Sequence, residues 1–355
     1  MTQMKKNIVK LILFGVITIL LIEIASAMMT PEKWFDEKLI QDRNARSIQL
    51  MEEPENTIDI LNIGDSLSTA GYSPMELWRE QGYTSFNIGA DGMRTAEAYY
   101  ALVEACEKQQ PKCLMIESLI LFRYAIGQDL QMALSQPLYH AFPFVKYHNI
   151  WKYYIEDRGI KIYHKGYLVN EEINDEGAEP EYLDLELGDP NSKMYISAHN
   201  RMRFDQIKKY CDDHGIEIVI YSMPSATNYN WERIEKLEAF AKEKGVRYID
   251  LNQKQEEIGI DWDHDSNDGG DHMNLYGVVK VVDFLGEYFR DNLELTDHRG
   301  DPAYRSWDEE LVEYDQLVED MEGLSFQDIW DEMKEKEWDA KYLKKNTTQN
   351  GNTVE

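Results

Sequence analysis

Five short strand-like runs, alternating with segments of helical length, constrain this chain more than any other feature. They fall at residues 58–63, 84–88, 113–116, 216–221 and 246–251, with helical patterns at 74–81, 94–108, 198–213, 230–244 and 276–290. Strand–helix alternation at this spacing marks a parallel sheet covered by helices on both faces. The rhythm breaks at residues 127–195, which are rich in aromatic and histidine side chains and then turn acidic and loop-like. That stretch reads as an insertion or lid between two halves of one sheet. No internal repeat is present.

A chain of 355 residues has room for one large domain or two modest ones. Its hydrophobic share of 43% and charged share of 29% exclude wholesale disorder and a multi-span membrane protein. The 37 basic and 66 acidic residues leave a formal charge of −29, which repels phosphate backbones and argues against a nucleic-acid partner. Cys106, Cys113 and Cys211 are too few for a disulfide framework and lack metal-ligand spacing. They read as small buried hydrophobes, with a Cys106–Cys113 bridge left open.

Residues 1–29 read as a signal-anchor or signal peptide. Lys5 and Lys6 precede an apolar stretch at 8–29, about 33 Å long as a helix and able to span a bilayer. Its uninterrupted heart, 11–22, also suits a secretory signal, and Ala25-Ser26-Ala27 offers a cleavage site. Either reading leaves the basic flank inside and everything beyond outside the cytoplasm. Residues 30–56 are a polar linker. At the other end, 292–345 form an acidic helical extension: between Asp301 and Asp339 stand fifteen acidic and three basic residues. There Trp307, Leu311, Tyr314, Val318 and Met321 share one helical face, either packed on the domain or offered to a partner. Residues 346–355 read as a disordered tail.

Three short patterns carry the chemistry. Gly64-Asp65-Ser66-Leu67 follows the first strand and puts a hydroxyl at the carboxyl edge of the sheet, where ligands bind in open α/β folds. Asn87-Ile88-Gly89 through Gly92 follows the second strand, and its glycines let backbone amides approach an oxyanion. Asp268, Asp271 and His272 open the last helix, and a histidine beside a carboxylate can take a serine proton while the carboxylate fixes its tautomer. The acidic run 261–267 lacks the glycine and the closing glutamate of a calcium loop, so no metal is expected.

In this order, Ser66, the Asn87–Gly92 block and the Asp-His pair resemble the SGNH/GDSL esterase and acyltransferase superfamily over residues 57–126 and 196–291. Residues 73–78, 82–87 and 271–277 are similar to a membrane-anchored Gram-positive branch that resembles the accessory acyl-transfer proteins of surface-polymer modification. The resemblance implies a flavodoxin-like three-layer α/β/α fold, Ser66 as nucleophile, His272 as general base, Asp268 or Asp271 as its partner, an oxyanion hole from the amides of Ser66 and Gly92, and no cofactor. It extends to Asn87 and Asn274 as substrate contacts. The sequence departs from the family in two places. The third strand, taken as running to Phe122, lacks the superfamily's asparagine, and Gly269 stands where the aspartate three residues before the histidine belongs. Asp268 is favoured over Asp271, because adjacent side chains converge poorly. His164, near Lys165 in the insertion, is a further candidate for touching substrate. The expected substrates are acylated cell-surface glycan or related polymer, or a small acyl ester. An integral-membrane acyltransferase is the expected partner if the chain is a non-catalytic subunit, and the aromatics of 139–167 are the expected platform if it only binds carbohydrate.

Overall fold

The computed structural model describes residues 3–28, 43–148, 163–174, 178, 181–187 and 194–321. Most of the 30–56 linker's first half, the middle of the insertion, the end of the acidic extension and the 346–355 tail lie outside the described residues. In chain order the elements are α1 (Gln3–Met28), α2 (Ala45–Leu50), β1 (Ile60–Ile63), α3 (Ser66–Gly71), α4 (Pro74–Gln81), β2 (Ser85–Asn87), α5 (Thr95–Ala105) and β3 (Cys113–Glu117). Next come α6 (Ile126–Ala141), α7 (Pro143–Tyr147), α8 (Ala198–His214), β4 (Glu217–Ser222), α9 (Trp231–Lys244), β5 (Arg247–Asp250), α10 (Gln255–Ile258), α11 (Leu275–Asn292) and α12 (Arg305–Met321).

All four strand pairings are parallel, in the order β2-β1-β3-β4-β5. This is the flavodoxin-like order, and the fold is α/β. Right-handed crossovers then assign the layers, because the step from β1 to β2 runs one way across the sheet and the later steps run the other way. The α3–α4 connection therefore covers one face, where α11 returns to pack on α4 and α3. Helices α5, α8 and α9 cover the other face, joined by the Phe204–Phe240 edge contact at 4.9 Å. The strands between are buried along nearly their whole length, which is why they carry no polar alternation.

The third strand is shorter than expected. It ends at Glu117, and residues Ser118–Leu121 turn into a 3-10 helix although all four are buried and the last three are apolar. The Glu117 side chain accepts the Leu119 N–H at 3.0 Å, and Asn200 of α8 donates to the carbonyls of Leu121 and Arg123 at 2.8 and 2.9 Å. Those side-chain bonds replace the ladder the strand would have continued.

Not all of the insertion stands over the domain as a lid would. Its described second half enters the core: the Asn87 N–H donates to the Lys165 carbonyl at 2.9 Å, extending the free edge of β2, and Tyr167, Val169 and Tyr182 are buried. His164, expected near substrate, is instead packed, with Nδ1 2.9 Å from Glu310 and its ring 5.3 Å from Tyr314. Tyr163 and Tyr167 are buried as well, which removes them from any glycan platform. Helix α12 docks its apolar face on α4, with Trp307 5.4 Å from Trp78 and the Tyr314 hydroxyl donating to Glu76 at 2.8 Å. The three cysteines are free thiols.

Candidate active site

Ser66 stands at the carboxyl end of β1, where the chain first steps to β2 and then crosses back to β3, the reversal point at which such sheets open a crevice. The turn that carries it is braced from below. Asp65 caps α3 by accepting the Leu67 N–H at 3.1 Å, Asn62 donates to Ser68 Oγ at 3.0 Å, and the Tyr221 hydroxyl donates to Asn62 at 2.9 Å. Only glycine fits at position 64, since a Cβ there would lie 2.5 Å from the Cβ atoms of both Glu117 and Ser68. Ser66 itself is half-buried, and its Oγ has no hydrogen-bond partner among the described residues. The amide of Ser66, at the first position of α3, and that of Gly92 likewise meet no acceptor among the described residues.

The loop before α11 builds the second half. Gly269 and Gly270 both adopt left-handed backbone, with φ of 72° and 87°, and fold Asp268 back over the start of α11. Asp268 then accepts twice from one residue: Oδ1 takes the His272 N–H and Oδ2 the Nδ1–H, each at 2.6 Å. Because a carboxylate only accepts, this geometry puts the imidazole proton on Nδ1 and leaves Nε2 with its lone pair. Asp271 reaches Nδ1 only at 3.6 Å, and its other oxygen is held by Thr227 at 2.5 Å and by Asn228. The glycine at the usual aspartate position is thus part of the bend that lets the residue one further back take its place.

Burial lowers the His272 pKa, but the Asp268 hydrogen bond and the charges of Asp271, Asp268 and Asp65 outweigh it and leave it above the ordinary 6.5. Burial raises the Asp268 carboxyl, and the bonds from His272 more than reverse this, so it stays ionised. The field of Asp65 at His272 ties the Ser66 turn to the histidine loop, although no Ser66–His272 hydrogen bond forms among the described residues. Apo sites of this kind often hold such pairs apart until substrate arrives.

Asn87 and Asn274 do not reach toward substrate. The Asn87 amide donates to the Ser68 and Tyr72 carbonyls at 2.8 and 3.2 Å and accepts from Gly89 N–H at 3.1 Å. Asn274 caps α11 by accepting the Gly277 N–H at 3.2 Å and donates to the Glu172 and His264 carbonyls. Both are wholly buried, with their polar groups engaged by the backbone they hold in place. Sequence reasoning missed Arg123. Its Nε lies 2.5 Å from Asp65, at the end of the 3-10 turn where the superfamily's asparagine would follow the third strand, and its side chain is partly exposed. The signal was a cation in the run after that strand. Asp268, Asp271 and His272 also offer three ligand atoms within 4.8 Å of one another, a set able to hold a divalent cation. Here the His272 Nδ1–H and the second oxygen of Asp271 are already in use within the loop.

No protein-family model matches this chain, and no curated protein does. Among solved structures, it is similar to the lipase/acylhydrolase from Enterococcus faecalis, with 12% identity, 67% of this chain and 98% of that one covered, and a TM-score of 0.36. It is also similar to TesA, with 12% identity, coverage of 65% and 98%, and a TM-score of 0.35.

Proposed function

We propose that this protein is a membrane-tethered serine esterase or O-acyltransferase of the SGNH/GDSL type, working outside the cytoplasm on acyl esters of cell-surface glycan or a related polymer. The observation that carries the reading is the Asp268–His272 pair, which presents a basic Nε2 on the loop coupled electrostatically to the Ser66 turn. Ser66 Oγ attacks the ester carbonyl and passes its proton to His272 Nε2. The oxyanion is met by the amides of Ser66 and Gly92, with the Arg123 guanidinium at the rim. His272 then protonates the departing alcohol, and water or a sugar hydroxyl takes the acyl group from Ser66.

The tether is α1, whose 26 residues, with a mean hydropathy of 2.6 over an 18-residue stretch, suffice to cross a bilayer, a description a signal sequence also meets. Two observations favour a second reading, a non-catalytic subunit of an integral-membrane acyltransferase: Ser66 and His272 share no hydrogen bond among the described residues, and no asparagine directly follows β3. The full chain treated with a fluorophosphonate separates the two. A covalent adduct on Ser66, absent in Ser66→Ala, supports the enzyme; an unlabelled Ser66 under conditions that label a known serine esterase rejects it.

A further inference from the structure

Helix α6 is amphipathic in the wrong sense for a water-facing helix. Asp129 and Gln136 point inward and are buried, Asp129 paired with Arg94 at 3.1 Å, whereas Ile126, Leu130, Leu134 and Leu138 are between 50% and 71% exposed. At 3.6 residues per turn these four fall within an arc of about 120°, which Pro137 and Ala141 share and no charged residue enters. A soluble helix places its charges on that side and its leucines inward, and a contiguous exposed stripe of this kind marks a contact surface.

What covers the stripe follows from its neighbour. Helix α7, next in the chain, meets the C-terminal end of α1: the Phe144 N–H donates to Ser26 Oγ at 3.2 Å, and Ser26 is the one buried residue of α1. Among the described residues, none of the apolar stretch before it is buried. Ser26 stands about 27 Å along α1 from Ile8, where the apolar stretch begins, close to the thickness of a hydrocarbon core of about 30 Å. The joint between α1 and α7 therefore falls at the bilayer boundary, and α6 leaves from that joint.

We propose that α6 lies in the headgroup–acyl boundary of the bilayer that α1 crosses, with Ile126, Leu130, Leu134 and Leu138 inserted among lipid chains. The proposal rests on the membrane-tether reading. A stripe without charge on a chain of net charge −29 attaches by apolar burial rather than by attraction to anionic headgroups, so the contact is insensitive to salt. The second contact fixes how the domain sits over the membrane. It also reaches the site, because Asp129 on the inner face of α6 holds Arg94, two residues beyond Gly92.

The test uses the full chain in phosphatidylcholine vesicles, with a bimane label on Leu134→Cys and lipids carrying nitroxide quenchers on their acyl chains. Leu11→Cys in α1 reports the tether, Lys209→Cys on the exposed face of α8 reports bulk water, and the unsubstituted chain gives the background of the native cysteines. Position 134 should lose severalfold more emission than position 209, unchanged by added salt. Quenching at 11 but not at 134 overturns the proposal and leaves the stripe to a protein partner. Absence of quenching at 11 overturns the tether reading, and the proposal with it.

Discussion

Replacing Asp268 by asparagine keeps the shape of the side chain and removes what His272 needs from it. The carboxylate accepts two N–H groups of the same residue, one on each oxygen. An amide has one acceptor oxygen, so the substitution either faces an NH2 against the His272 backbone N–H or turns that NH2 toward the ring. The second outcome moves the ring proton to Nε2 and turns the base into a donor. Loss of a hydrogen bond to a charged group is worth about 1.5–3 kcal/mol, and the low end applies because the Asp268 side chain is 41% exposed. That is about a tenfold loss, and the wrong tautomer adds another factor, for about 10² in kcat/KM. Asp271 at 3.6 Å keeps the loss below that of a fully buried partner.

The pH profile checks the same reasoning. His272 must be neutral to act, and its raised pKa places the acid limb of kcat/KM above 6.5. Without the Asp268 charge and hydrogen bond that limb moves down. Hydrolysis of a small p-nitrophenyl ester by the full chain, followed across pH, reads both quantities. An unmoved acid limb, or a larger loss from Asp271→Asn than from Asp268→Asn, would refute the assignment.

Other substitutions probe separate parts of the structure. Ser66→Ala and His272→Ala should each abolish ester turnover with the far-ultraviolet circular dichroism unchanged, and the double variant should lose no more than either single one; multiplied losses would mean they act independently. Glu117 is fully buried, and burial followed by the nearby Asp65 charge holds its carboxyl well above 4.5. The folded state then keeps a proton the unfolded state has released, so stability falls as pH rises above about 4.5, and Glu117→Gln should flatten that slope in urea midpoints. An identical slope in the variant would show that Glu117 does not titrate there. Trp307→Ala removes a ring packed on Trp78 and should cost about 3–5 kcal/mol in urea unfolding, whereas a loss of a few tenths would detach α12 from the cooperative unit.

The five strands were legible because short runs of strand-forming residues alternate with helical lengths, a rhythm that a parallel sheet covered by helices imposes on the chain. The same pattern overran at residues 118–121, where a buried serine and three buried apolar residues are wound into a 3-10 turn. What stops β3 there is the Glu117 side chain and Asn200, and Asn200 lies about eighty residues away, beyond the reach of a local pattern. Residues 163–169 failed for a related reason. Their histidine, lysine and tyrosines look like surface, and are buried because Glu310, Glu53 and the edge of β2 supply their partners. Of the site, the residue types and their order could be read, since the chemistry dictates them. The roles of Asn87 and Asn274 could not, because an asparagine capping a helix and one facing a ligand are spelled alike.

The way α12 closes over α4 also bears on how this chain must fold. Ser73 and Tyr314 are 241 residues apart, Glu76 and Tyr314 238, and Trp78 and Asp308 230, yet all meet where α12 packs on α4. Contacts of such long range form only after most of the chain has been searched, and they slow folding more than local ones do. An early-made helix, α4, thus waits with Trp78 and Glu76 uncovered until nearly the last described element is available. During synthesis that interval leaves an aromatic and an acidic group side by side in the open, a natural binding surface for a chaperone. The acidic helix is the final closure, and a chain that stops short of it would remain held at that stage.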